Sequence, residues 1–101
     1  MLANEARGEV LLAIDGAPRK LCLTLGALAS LEATFETVTL ADLGERLAAL
    51  TANDLLLVLA ALTEGGGGAM SAVELARAQI CPREAADAVG RCFALAFGGD
   101  V

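Results

Sequence analysis

Apolar residues alternate along the chain at Val10, Leu12 and Ile14 and again at Leu21 and Leu23, predicting two short β-strands that share one apolar face. Asp15–Gly16 supplies the turn between them, and Pro18 restricts the return path. A two-residue loop at Asp15–Gly16 and a four-residue loop spanning Asp15–Pro18 place these apolar sets on the same face. The buried side is therefore fixed while the loop length stays open. Leu11 falls on the other face with Cys22 and Thr24, leaving that side only partly polar.

Gly26 marks the change from strand to helix. Leu28, Leu31 and Phe35 then recur at helical spacing, with Val38 in register if the helix lasts that long, and Glu32 and Glu36 line a more polar side. Thr39 and Asp42 have capping-box spacing, and Leu40, Leu43, Leu47 and Leu50 form a stripe behind them. Gly44 within that helix lowers its propensity and suggests fraying or a close contact. Thr51 and Asp54 repeat the start signal. The helix they open, from about Ala52 to Glu64, is apolar nearly all round, as expected of a central helix or of a surface half-covered by another subunit.

Gly65–Gly68 reads as a flexible connection, extending to about residue 70, because four ordered glycines carry a large entropic cost. No Lys-Ser/Thr follows, so a phosphate-binding loop is a poor reading. Ser71 and Glu74 form the clearest capping box and open a short helix to about Gln79. Pro82 suits the first position of a last helix, whose buried side is expected at Ala86, Val89, Phe93 and Ala96 or Phe97. Gly90 inside it suggests close packing, and Gly98–Gly99 ends it. The expected fold is α+β, an N-terminal antiparallel β-hairpin packed on a small bundle of four to five helices. Residues 1–101 form one domain, with 1–7 as a loose tail.

Composition sharpens the picture in two ways. Apolar residues make up 56% of the chain, above the usual range of about 45–50%, yet aromatics are only 3%. Leu, Ala and Val must build the core, and some apolar surface is left for a partner. The formal charge of −6 argues against nucleic acid as a primary ligand, because phosphate contact needs concentrated Lys and Arg. Arg19–Lys20 is the only adjacent basic pair, best read as solvated strand residues. The segment Ser71–Phe93 has the size of a helix-turn-helix with Arg83 and Arg91 on its second helix, but Glu84 and Asp87 share that helix.

Three cysteines, Cys22, Cys81 and Cys92, lack scaffold spacing and read as reduced thiols of a cytoplasmic protein. The N-terminus has no signal-peptide pattern, and the longest apolar run, Leu55–Leu62, is far short of the roughly 20 residues a membrane span needs. There is no His and no Tyr, so Ser-His and Cys-His nucleophile systems and histidine metal sites are excluded. The cysteine spacings do not match a zinc site. Cys81 at a helix start is best read as an ordinary thiol, against the alternative of one activated by backbone N–H groups. Asp42, Asp54 and Glu74 are accounted for by helix starts. An enzyme is not expected, and no cofactor is implied.

Arg7–Glu9, Asp15–Arg19, Leu23–Glu32, Thr51–Asp54, Gly65–Gly68 and Ala96–Phe97 together resemble the small tail assembly proteins of gene transfer agents and related tailed prophages. Labels in that family vary between tail tube protein and tail assembly chaperone; the small size and helical content look more like the chaperone. The resemblance implies non-catalytic work: binding the long helical tape-measure protein, keeping it soluble and recruiting tail-tube protein. A structural role in the tail is the alternative. It transfers no catalytic residue, and homo-oligomer formation stays open.

An amphipathic partner helix fits an apolar groove. The candidate groove comprises Leu55, Leu56, Leu59 and Leu62 with Phe93 and Phe97, since the central helix has more apolar circumference than a small core needs. Burial of all six in the domain's own core is the equal alternative.

Overall fold

The computed structural model describes residues 7–97. The chain is an α+β fold: strands β1 (Glu9–Ile14) and β2 (Ala17–Cys22) form an antiparallel hairpin, and five helices follow. They are α1 (Leu25–Phe35), α2 (Leu40–Leu47), α3 (Ala52–Gly65), α4 (Ala72–Arg77) and α5 (Pro82–Ala96). The N-terminal tail assigned to 1–7 falls almost wholly outside the described residues, as does the Gly98–Gly99 stop.

Register resolves the loop length left open by the sequence. Ile14 pairs with Ala17, leaving Asp15 and Gly16 as a two-residue turn. Their φ values, 54° and 78°, are both left-handed, as the tight hairpin turn requires. Asp15 also anchors the turn at long range. Its N–H donates to the Gln79 carbonyl at 3.0 Å, and its carboxylate accepts from the Gln79 N–H at 2.7 Å. Those bonds engage the backbone of Gln79, and α4 correspondingly stops at Arg77 rather than continuing to Gln79.

Val10, Leu12, Ile14, Leu21 and Leu23 are buried on one face of the hairpin, against Leu31, Val58, Leu62 and Leu75. Helix α3 is central, packing on β2, α1, α4 and α5. Side-chain caps from Thr24, Thr39, Thr51 and Ser71 satisfy free N–H groups at four helix starts. The α1 helix ends at Phe35, where Glu36 turns left-handed with φ 55°, so Val38 leaves the helical register and is 86% exposed. In α2 only Leu43 of the apolar stripe is fully buried; Leu40 is exposed.

The last helix buries Val89 as expected, but the rest of its buried face is shifted from the expected one. Ala85, Ala88, Val89 and Cys92 point inward, whereas Ala86, Ala96 and Phe97 are exposed and Phe93 is half-buried. The small side chains Ala85, Ala88 and Cys92 let α5 lie close to β1, which a reading led by bulky residues overlooks. Gly90 is also not a close-packing position: a Cβ there would meet nothing within 4 Å.

The glycine stretch has a steric role. Gly65 ends α3 and Gly66 caps it, and a Cβ at either would overlap a β2 carbonyl oxygen, that of Cys22 or Lys20 respectively. Buried Thr63 then holds the chain beyond. Its hydroxyl donates to the Ala60 carbonyl at 2.9 Å and accepts from the Met70 N–H at 3.0 Å.

Candidate functional site

Two adjoining apolar grooves flank the N-terminal half of α3. The first, about 340 Å³, lies between the end of α2, the start of α3 and the middle of α5. Leu47, Leu50, Leu55, Val89 and Phe93 form its walls; Ala48, Ala52, Ala86 and Gly90 leave the hollow between them. The second, about 260 Å³, runs between α3, α4 and the start of α5, lined by Leu55, Leu56, Leu59, Leu75 and Ile80 among smaller residues. Ala52 and Leu55 belong to both, so the grooves meet there. Neither is lined by a charged residue.

The six residues singled out by sequence separate. Leu55 and Leu56 are half-buried and line the grooves, Phe93 walls the first, and Leu59 reaches the second although it is only 2% exposed. Leu62 is fully buried in the core and lines neither groove, because its side of α3 packs into the domain interior. Phe97 is 56% exposed and stacks on Phe93, ring centroids 6.4 Å apart. Leu47, Leu50, Val89 and Ile80 were not singled out. Leu47, Leu50 and Val89 show in the sequence only as apolar helix positions and Ile80 carries no periodic signal; packing alone brings them to the grooves.

An ion pair fixes the α2 wall. The Arg46 guanidinium donates to both carboxylate oxygens of Asp54, at 2.6 and 3.0 Å, and lies 4.7 Å above the Phe35 ring. Asp54 also accepts from the Thr51 N–H at 3.1 Å, so one carboxylate caps α3 and ties down α2. Sequence spacing revealed the cap and not the ion pair. The Arg46 hydrogen bonds, then that from the Thr51 backbone, lower the Asp54 pKa to about 2.

Because this pKa lies below the unfolded value of about 3.9, the stabilisation is complete above that value. It is lost as pH falls through the folded value. The thermal stability of the wild type is expected to fall between about pH 4 and pH 2. Asp54→Asn should start less stable at neutral pH and show a flatter profile across that window. Parallel profiles would show that Asp54 does not carry the dependence.

The thiols differ in environment. Burial, with a smaller contribution from Cys22, raises the Cys92 pKa to about 12, and burial raises that of Cys22. Cys81 is exposed at the start of α5 and makes no side-chain cap. Alkylation of the native protein at neutral pH is expected to label Cys81 alone, and all three cysteines after denaturation. Mass spectrometry reads the count; native labelling of Cys92 would contradict the packing of α5 on β1.

Among the described residues no group of three or more His, Cys, Asp or Glu side chains is placed to hold a metal ion. No described helix is long and apolar enough to cross a membrane. Of the two arginines weighed for DNA contact, Arg91 lies 3.7 Å from Asp87 on the same helix.

A hairpin-led helical domain with an uncharged apolar surface is the class that the fold and grooves define. Residues 7–99 match the family described as "Phage tail tube protein, GTA-gp10", and the chain belongs to that family. It is thus a phage or gene transfer agent tail-related protein. Searches of curated proteins and of solved structures gave no significant match.

Proposed function

We propose that this protein is a non-catalytic tail assembly chaperone of a phage-like gene transfer agent, acting in the cytoplasm. It binds an amphipathic helix of the tape-measure protein and aids assembly of the tail tube around it. The observation that supports this most is the meeting of two uncharged grooves at Leu55, which offers a continuous apolar seat along α3. A helix laid there would bury its apolar stripe, each Å² removed from water contributing about 25 cal/mol before binding costs. The net negative charge elsewhere favours solubility of the loaded protein.

The family description favours a second reading, a structural component of the tail. Quantitative mass spectrometry of purified mature particles separates the two. The chaperone is expected to be absent or far below the stoichiometry of the tube protein. Stoichiometric retention would replace the chaperone with the structural reading.

A further inference from the structure

Helix α3 has a second outward face. Leu57, Ala60, Ala61 and Glu64 recur at i, i+3, i+4 and i+7, about 140° round the helix from the side that lines the apolar grooves. Leu57 is half-buried yet stands outside the core cluster that Leu55 and Leu56 border. This stripe is the floor of a hollow of about 540 Å³, larger than either groove.

Helices flank the hollow on both sides. The α1 helix runs antiparallel to α3: a Cβ on Gly65 would lie 3.3 Å from the Thr24 hydroxyl, and at the other end Arg46 meets both Phe35 and Asp54. The α4 helix also runs back along α3, from Met70 bonded to Thr63 to Leu75, which shares a groove with Leu59. Ser30 and Thr34, about one turn apart, form the α1 wall, and Met70, Ser71 and Glu74 stand opposite. A floor of helical period between two helices is shaped for a further helix, and Ala60 and Ala61 allow it a close approach.

The charge of the hollow is one-sided. Glu64 and Glu74 rim it, and no described Lys or Arg lines it. Among the described residues the Glu64 carboxylate makes no hydrogen bond or ion pair. Glu74 accepts from the Ser71 N–H at 2.9 Å and has no described cationic partner. The exposed Ser30 and Thr34 hydroxyls add further acceptors.

We infer that this face docks a basic amphipathic helix of another protein. Its apolar stripe lies on Leu57, Ala60 and Met70, and its Lys or Arg side chains reach Glu64 and Glu74. Charge complementarity selects this occupant. No described helix of the chain carries more basic than acidic residues, so a second copy does not supply one. The face is separate from the grooves assigned to the tape-measure helix, and the two sites stand or fall independently.

NMR titration of the isotopically labelled full chain tests the assignment, with a synthetic helical peptide of about 18 residues, leucine on one face and lysine on the other. Saturable binding is expected, with amide shifts concentrated at Leu57, Ala60, Glu64, Ser30, Thr34 and Glu74. Glu64→Gln combined with Glu74→Gln should weaken it roughly tenfold or more at low salt, because Gln keeps the capping bond but not the charge. Leu57→Lys should abolish binding, and the glutamine pair keeps the test decisive if that variant fails to fold. Phe97→Ala, on the other side of the domain, should leave peptide binding unchanged.

Shifts centred on Leu55 and Phe93 would overturn the proposal, as would equal binding of a peptide with glutamate in place of lysine. So would the absence of saturation up to millimolar peptide. Self-association of the wild type that Leu57→Lys abolishes would give the face to a second copy instead.

Discussion

Gly66→Ala is expected to unfold much of the population, while Gly90→Ala makes the protein more stable. The substitution is chemically identical; what the new methyl meets differs. At Gly66 it would overlap the Lys20 carbonyl oxygen, and at Gly65 that of Cys22, so α3 and β2 must separate. Inserting an atom against backbone allows no rotamer escape, and the cost should reach about 3 kcal/mol or more, against a total of about 5–15 for such a domain. At Gly90 the Cβ meets nothing, and replacing a helical glycine by alanine contributes about 1 kcal/mol. Thermal unfolding should show Gly90→Ala raised by about 4–8 °C and Gly66→Ala strongly lowered. Equal tolerance at both positions would contradict the packing of α3 on β2.

Leu62→Ala and Phe97→Ala should divide stability from binding. Leu62 is fully buried, so truncation loses its transfer free energy and leaves a cavity, a cost of about 2–5 kcal/mol. Phe97 is more than half exposed, and its truncation should stay within about 0.5 kcal/mol. Binding to tape-measure protein is expected to follow the reverse order, with Phe97→Ala and Leu55→Glu losing affinity while remaining folded. Leu62→Ala should retain affinity under conditions where it is folded. Chemical denaturation paired with a pull-down reads both quantities. If Leu55→Glu and Phe97→Ala bind normally, the α3–α5 surface is not the seat.

Different layers of this fold were legible to different degrees. The hairpin was visible because Val10, Leu12, Ile14 and Leu21 follow a strict alternation around Asp15–Gly16, and because a strand signals its buried face through period two. Helix starts at Thr39, Thr51 and Ser71 were visible because capping chemistry is local to four residues. What sequence hid was tertiary. Gly65 and Gly66 look like a flexible joint until β2 is placed against them, and their need for a bare Cα comes from carbonyls over forty residues away. The face of α5 was misjudged because Ala85, Ala88 and Cys92 bury little area each, yet set how near the helix approaches β1. Arg46 and Asp54 sit on separate helices, so no helical spacing rule pairs them. The grooves were only half visible: Leu55, Leu56 and Phe93 came from α3 and α5 periodicity, whereas Leu47, Leu50 and Ile80 join them through packing alone.

Co-expression with the tape-measure protein from the same tail gene cluster, followed by affinity capture and native mass spectrometry, decides whether this chain is its chaperone. The tape-measure protein is expected to be soluble only in complex with this chain, and adding tail-tube protein is expected to release it. A folded protein that forms no complex with a soluble tape-measure protein would contradict the chaperone function.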